Sequence, residues 1–255
     1  MKPRPQRRPV ALVAPAVVGV AFLCVPLVAI LWRAPWRHIV QLVSAPAART
    51  ALRLSLECSL GALALSLVLG VPLAWVLARL DFPGKSAVRA LVMVPLVLPP
   101  VVGGVALLLA FGRRGIVPLH LAFTTRGAIV AEAFVALPFL VLSVEGALLS
   151  LDRDYEEVAA TLGTSPFATF RRVTLPLIAP ALAAGAALAW ARALGEFGAT
   201  ITFAGSLPGR TQTLPLEIYL LLQDDPDAAV ALSVVLLMVS LFVLVALRGR
   251  WRVAR

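Results

Sequence analysis

The chain has 255 residues, of which 60% are hydrophobic and only 14% are charged, and its mean hydropathy is +0.94. A soluble domain is about half apolar and about a quarter charged, so this composition excludes a soluble globular protein and predicts an all-α, polytopic membrane protein. The formal net charge of +10 does not indicate nucleic-acid binding, because the basic residues flank apolar runs, where they act as topology signals.

Six apolar runs are each long enough to cross a bilayer, which takes about 20 residues of helix. In chain order they cover residues 10–32, 54–80, 91–111, 127–149, 177–203 and 228–247. The first run is too long for the core of a signal peptide, so it is interpreted as an uncleaved membrane helix. The connection 33–53 is predicted to be partly helical, and 205–227 is predicted to be a longer segment on the same side.

The third run carries the sequence MVPLVLPPVVGG, in which prolines and glycines follow one another closely. Proline removes a backbone donor and clashes with the preceding turn, so this run must be broken or kinked. At membrane depth such a break is tolerated only where protein or a water-filled path covers the freed backbone groups.

Basic residues favour a cytoplasmic location for both chain ends. Six spans place the two ends on one side, and the ends together with the connections 79–89 and 152–176 carry more Lys and Arg than the opposite connections. Because cytoplasmic loops are enriched in Lys and Arg, both ends and the 152–176 loop are predicted to face the cytoplasm. No internal repeat or low-complexity linker divides the chain.

The polar segment 152–180 lies between two apolar runs and still has the pattern of short helices. Asp154 is expected to cap the first helix, with Glu157 at its third position, and Gly163 is expected to end it. Pro166 then starts a second short helix that has Phe167 on its apolar side. A helix–Gly–helix loop of this kind fits a groove on a partner protein. An ordinary cytoplasmic loop that caps its own helices remains the alternative.

Arg192 and Glu196 are charged residues inside the fifth run, where an unpaired charge is costly. Their spacing of four predicts an ion pair on one helix face, and Gly195 and Gly198 are expected to allow close helix approach. One interpretation is a structural salt bridge that orients the span; the other is that Arg192 lends positive potential to an anion path. Other acids in the spans are expected to be packed polar anchors or interface residues: Glu57, Glu132 and Glu145.

No catalytic or cofactor site is predicted in this chain. Gly84-Lys85-Ser86 resembles the end of a phosphate-binding loop, but Arg79 stands where that loop needs a glycine. His38 and His120 are isolated from other metal-ligand residues. An intramembrane enzyme would need a nucleophile and base beside Arg192 and Glu196, and a stand-alone channel would leave the 152–180 loop without a purpose.

Spacing within the polar loop points to a family. Glu157, Ala159, Gly163, Val173, Leu175 and Pro176 reproduce the pattern of the EAA loop, so the chain resembles ABC importer permeases. Val158 and Val173 stand where that family usually has Ala and Ile. From about residue 51 onward, the runs 93–115 and 191–233 resemble the molybdate permeases of bacterial ABC importers. Sulfate and thiosulfate permeases share the GEFG motif and are the alternative.

The resemblance implies a type I ABC importer permease fold in the inner membrane, with an amino-terminal segment 1–50, a permease core 51–247 that contains the coupling loop 152–176, and a basic tail 248–255. It implies a second copy of the chain, two ATPase subunits that bind ATP and Mg²⁺, a periplasmic or lipid-anchored molybdate-binding protein, contact with membrane lipid, and no nucleic acid. The cargo would be molybdate, with tungstate as a related oxyanion.

The resemblance also implies roles for individual residues. Those expected to couple the loop to the ATPase are Glu157, Ala159, Gly163, Phe167, Leu175 and Pro176. Those expected to line the translocation path or its gate are Arg192, Gly195, Glu196, Gly198, Thr200 and Thr202.

Overall fold

A computed structural model describes residues 10–248, and all regular structure within this range is helical. The helices, in chain order, are α1 (Val10–Arg33), α2 (Ile39–Val43), α3 (Pro46–Arg79), α4 (Lys85–Val97), α5 (Pro100–Phe111), α6 (Thr125–Ser150), α7 (Asp154–Thr161), α8 (Pro166–Thr169), α9 (Leu175–Leu194), α10 (Gly198–Phe203), α11 (Leu214–Asp224) and α12 (Pro226–Arg248). A π-helical segment, Phe170–Thr174, joins α8 to α9 without a break. The predicted tail 248–255 lies outside the described residues except for its first residue.

Five apolar helices in the described range are long enough to cross a membrane, and a bent pair brings the number to six. The five are α1, α3, α6, the continuous helix from α8 to α9, and α12. The predicted all-α architecture with about six spans is therefore confirmed.

The third span is broken rather than merely kinked. Helices α4 and α5 meet at an angle of 118° at Leu98 and Pro99. At 1.5 Å per residue each half is about 20 Å long or less, so neither half alone crosses a hydrocarbon core of about 30 Å. The predicted break is confirmed, and its sharpness follows from two consecutive prolines, of which Pro100 is the first residue of α5.

The fifth span differs from its predicted bounds of 177–203. The helix already begins at Pro166 and ends at Leu194. Residues 195–197 are not helical, and α10 begins directly after them. Two short polar helices were predicted to precede the span, but the second of them is continuous with it. The apolar pattern could not reveal the break, because Gly195-Glu196-Phe197 is too short to interrupt a hydrophobic window.

Helices α3, α6 and α9 form the centre of the bundle, with small residues at their contacts. Ala62, Ala74, Ala136 and Ala189 are fully buried there. A Cβ on Gly185 would lie 2.6 Å from the Cβ of Ser143, so these two helices approach each other as closely as glycine allows. Small residues are what membrane helices use to pack closely in the absence of a hydrophobic driving force.

A second layer lies at the amino-terminal end of α3. Helix α3 begins at Pro46, eight residues before the predicted span, and its first turns pack with α11, α2 and α12. The Ser55 hydroxyl accepts the backbone N–H of Leu214 at 2.6 Å, which fixes the start of α11 against α3. The segment 205–227, predicted only as a long connection, therefore contains a packed helix.

Candidate functional site

The loop between α6 and α9 forms a compact helix–turn–helix. Helix α7 begins at Asp154, but its N-cap is Arg153, so the prediction that Asp154 caps it is wrong. The carboxylate of Asp152 accepts the backbone N–H of Asp154 at 3.1 Å instead, because an Asp side chain readily bonds the amide two residues further on. Asp154 and Glu157 both lie in or next to the first turn, where negative charge is favourable.

The turn between the two helices depends on Gly163. Its φ of +80° is a left-handed conformation that only glycine adopts without strain, which matches the predicted helix stop. Ser165 caps the next helix, since its hydroxyl accepts the backbone N–H of Ala168 at 3.3 Å, and Pro166 is the first helical residue as predicted.

Hydroxyl groups fill the interior of this loop. The Thr164 hydroxyl donates to the carbonyl oxygen of Ala159 at 2.7 Å and lies 2.7 Å from the Thr169 hydroxyl. Ala159 is buried, so a larger side chain there would separate the two short helices. The loop is consequently a preorganised unit and not an extended connection.

Glu156 anchors this unit to the membrane bundle. Its Oε1 accepts the Thr174 hydroxyl at 2.7 Å, and its Oε2 lies 2.9 Å from Nε of Arg79, the last residue of α3. Sequence reasoning singled out the neighbouring Glu157 and missed Glu156. The signal in the sequence is the spacing of three residues between Glu156 and Ala159, which puts both on one helix face. The structure shows that this is the inner face, since Ala159 is buried.

The opposite face of the loop is open and partly apolar. Glu157 is exposed, and Phe167 is 73% exposed. Three further apolar or aromatic side chains of the loop are exposed as well: Tyr155, Val158 and Leu162. Leu175 is half-buried and Pro176 is exposed, and both lie at the start of α9 within the continuous helix. Since proline cannot donate to the helix ladder, the π-helical segment just before it accommodates Pro176.

Arg192 and Glu196 form the predicted ion pair, with Nη1 and Oε2 2.6 Å apart. They do not share a helix, because α9 ends at Leu194 and Glu196 lies in the break. The second oxygen of Glu196 accepts the backbone N–H of Ala199 at 2.8 Å, in the first turn of α10. Glu196 is 1% exposed, so the arrangement is first of all a buried structural pair that joins α9 to α10.

The two interrupted spans meet at this break. A Cβ on Gly198 would lie 2.8 Å from Cβ of Pro100, and a Cβ on Gly104 would lie 2.6 Å from Cβ of Thr202. Gly198 therefore allows the predicted close approach. Gly195 does not, because the atom nearest to a Cβ there is a carbonyl oxygen of its own preceding turn, 3.6 Å away.

The threonines of α10 face into protein. Thr200 is fully buried, and its hydroxyl has no hydrogen-bond partner among the described residues. The Thr202 hydroxyl donates to the carbonyl oxygen of Gly198 at 2.8 Å. Of the residues predicted to line the path, Arg192 and Gly195 have the most open surroundings, since the Arg192 side chain is 30% exposed and Gly195 is exposed.

The remaining acids in the spans differ in their surroundings. The Glu145 carboxylate accepts a hydrogen bond from Nε of Arg89 at 2.9 Å, and this bond connects α4 to α6. Glu132 is 1% exposed, and its Oε2 has no partner among the described residues. Glu57 is exposed on α3. Within the part of the chain that the structure describes, no three His, Cys, Asp or Glu side chains come together as metal ligands would.

Comparison with known proteins matches residues 66–252 to the family described as "Binding-protein-dependent transport system inner membrane component". The chain belongs to this family. The permease is thus a multi-pass inner-membrane protein.

The permease has relatives among the permease proteins of molybdenum and sulfate transport systems. It is 49% identical over 243 residues to the molybdenum transport system permease protein ModB of Mycobacterium tuberculosis, with 92% of each chain covered. It is 40% identical to ModB of Escherichia coli, with 79% of this chain and 91% of the relative covered. It is 38% identical to the sulfate transport system permease protein CysT of Salmonella typhimurium, with 82% and 78% covered.

A solved structure shares the fold. A chain from a bacterial ABC transporter involved in the import of the acidic polysaccharide alginate matches with a TM-score of 0.72 at 20% identity, covering 96% of the permease and 95% of that chain. This likeness confirms the predicted ABC importer permease fold.

Proposed function

We propose that this permease is the membrane subunit of an ATP-driven importer that carries molybdate, and the related oxyanion tungstate, into the cell by alternating access. The observation that carries the proposal is the 49% identity to a molybdenum permease over 92% of the chain. A tetrahedral dianion is favoured by N–H donors within the membrane, and we propose that Arg192, whose side chain stays 30% exposed while it pairs with Glu196, supplies such donors at the junction of α9 and α10.

The loop between α6 and α9 is the coupling element of this proposal. Glu157 and Phe167 are exposed on a rigid unit, while Ala159, Gly163, Leu175 and Pro176 shape and position it. The exposed side chains are suited to the groove of a separate ATPase subunit, which binds ATP and Mg²⁺. ATP biases the two transport states only through contacts that differ between them, and a rigid loop fixed to α3 and α9 transmits such a bias.

The assembly contains two copies of the permease, two ATPase subunits and a periplasmic or lipid-anchored binding protein. Both chain ends and the coupling loop face the cytoplasm, and the layer formed by α2, α11 and the start of α3 faces outward. The excess of Lys and Arg on the chain ends and on the connections 79–89 and 152–176 supports this placement. The 34 residues of α3 extend about 50 Å, which exceeds a hydrocarbon core of about 30 Å.

Sulfate or thiosulfate is the second candidate cargo, favoured by the 38% identity to a sulfate permease. Uptake of radiolabelled molybdate into proteoliposomes that contain the permease, its ATPase and the binding protein separates the two. We expect ATP-dependent uptake that unlabelled tungstate suppresses and that equal sulfate leaves unchanged. Suppression by sulfate, with ATP-dependent sulfate uptake, would overturn the molybdate assignment.

The coupling role is tested by reversing the charge of Glu157. The Glu157 side chain is exposed and makes no hydrogen bond among the described residues, so we expect Glu157→Lys to keep the fold and to abolish uptake. Glu57→Gln, which changes an exposed acid at the other end of the bundle, serves as the control for charge alone. Normal uptake and ATPase assembly in Glu157→Lys would rule out the coupling role.

A further inference from the structure

A small pocket lies in the layer at the amino-terminal end of α3 and has no part in the proposed transport path. It encloses about 280 Å³, and its walls include Pro46, Thr50, Pro208, Gly209, Gln212 and Glu217. Thr50 precedes Arg79 by 29 residues, or about 44 Å along α3. The pocket and the coupling loop are therefore separated by more than the thickness of the hydrocarbon core.

Glu217 gives the pocket its chemistry. It is 8% exposed, and among the described residues that line the pocket it alone is ionisable. Gln212, also 8% exposed, donates from Nε2 to Oε2 of Glu217 at 2.5 Å. A carboxylate and an amide oxygen that line a pocket can accept hydrogen bonds from a cation, and the Pro46 and Pro208 rings offer apolar surface to the aliphatic stem of a basic side chain.

The loop that forms one wall is held rigidly. The backbone N–H groups of Arg210, Thr211 and Gln212 all donate to the carbonyl oxygen of Leu207. The Thr211 hydroxyl accepts the N–H of Leu207 at 2.9 Å and donates to the Gly205 carbonyl oxygen at 3.2 Å. Because the wall is already ordered, a side chain that enters the pocket orders little else, and this preorganisation favours binding.

Burial raises the pKa of the Glu217 carboxyl, which lies in α11, outside the membrane spans. The ionised carboxylate is therefore poorly solvated in the isolated permease. A positive group that entered the pocket would favour the ionised form and replace the lost water contacts.

We propose that this pocket receives a basic side chain, lysine or arginine, of the extracytoplasmic binding protein when that protein docks on the permease. The inference rests on the proposed function, because it places the pocket on the outer face and requires a binding protein. It adds a specific anchor: Glu217, positioned by Gln212, in a cleft whose size and walls fit one long basic side chain.

The test measures ATP hydrolysis by the full permease–ATPase complex in nanodiscs as the molybdate-loaded binding protein is titrated. Loss of one buried charge partner weakens docking strongly, so Glu217→Gln is expected to raise the half-saturating concentration at least tenfold and to leave the basal rate unchanged. Asp224 is an exposed acid at the end of the same helix, and Asp224→Asn is expected to leave the half-saturating concentration unchanged. A Glu217→Gln curve within twofold of the unmodified complex would overturn the proposal.

A second variant covers the case in which Glu217→Gln disturbs the fold. Thr50→Trp fills the mouth of the pocket and leaves the Gln212–Glu217 hydrogen bond intact, and it is also expected to raise the half-saturating concentration at least tenfold. Restoration of docking in Glu217→Lys by a Lys→Glu or Arg→Glu change in the binding protein would identify the occupant. Failure of Thr50→Trp to change the titration would overturn the proposal.

Three further outcomes separate this inference from its alternatives. If the Glu217→Gln effect appears only in nanodiscs that contain phosphatidylethanolamine, the occupant is a lipid amine, and the binding-protein assignment is wrong. If the unmodified complex shows no stimulation by the loaded binding protein, the proposed function itself fails. If stimulation is normal in the unmodified complex and in both pocket variants, the pocket inference alone fails.

Discussion

The anchor of the coupling loop predicts a measurable effect of Glu156→Gln. Glu156 accepts a hydrogen bond from Thr174 at 2.7 Å and pairs with Arg79 at 2.9 Å, and the two charged side chains are 20% and 6% exposed. Breaking a buried pair costs about 3–5 kcal/mol, whereas an exposed pair contributes about 0–1 kcal/mol. For this intermediate burial we expect about 2 kcal/mol, or roughly a 30-fold increase in the population in which the loop is detached.

Hydrogen exchange of the loop amides in nanodiscs measures that population directly. We expect amides of 154–174 in Glu156→Gln to exchange roughly 30-fold faster, because local opening limits their exchange. The same variant should hydrolyse more ATP per molybdate transported, since a detached loop moves without α3. Asp154→Asn is the matched control: it removes an exposed charge from the same helix, with an expected loss of about 0.3–1 kcal/mol.

A double-mutant cycle decides whether the ion pair is responsible. If Arg79 and Glu156 stabilise the loop together, Arg79→Gln and Glu156→Gln combined should cost much less than the sum of the single changes, with an interaction energy of about 1–2 kcal/mol. Additive effects, or unchanged exchange in Glu156→Gln, would refute the view that this contact holds the loop against the bundle.

Two further predictions concern the broken spans. Arg192→Leu leaves Glu196 as an unpaired buried charge and should destabilise the purified permease by about 3–5 kcal/mol. The double variant Arg192→Leu with Glu196→Gln should recover part of this loss in thermal melts. Equal melting temperatures for the single and the double variant would contradict the ion pair. Gly104→Ala should lower the free energy of unfolding by about 1–3 kcal/mol, because its Cβ would lie 2.6 Å from a side-chain carbon of α10. Gly146→Ala is the control and should be neutral, because nothing lies within 4 Å of a Cβ there. Indistinguishable melting temperatures for the two variants would contradict this packing.

Local chemistry predicted much of this molecule from the sequence. Gly163 and Pro166 mark the turn of the coupling loop because one supplies a left-handed conformation and the other a preset helical φ. Arg192 and Glu196 were paired correctly because opposite charges four residues apart rarely stay separate in a membrane. These predictions succeeded because each depends on contacts within a few residues.

Other features required tertiary contacts that a sequence does not display. The extra turns of α3 from Pro46 onward are too polar for a membrane window and become ordered by packing on α11 and α12. The anchoring role of Glu156 depends on Arg79, which is 77 residues away in the chain. Neither apolar periodicity nor charge spacing could connect these two residues.

The continuity of α8, the π-helical segment and α9 also has a mechanical consequence. Helix α9 extends about 30 Å from Leu175 to Leu194, so the coupling loop and the Arg192–Glu196 pair lie at opposite ends of one rod. Because Glu196 also bonds the first turn of α10, and Gly198 there packs against Pro100 at the start of α5, a displacement of that rod reaches both interrupted spans at one joint. We expect loop movement to change the α5–α10 contact before any other contact between spans, and a spin-label pair on these two helices would detect it when ATP is added.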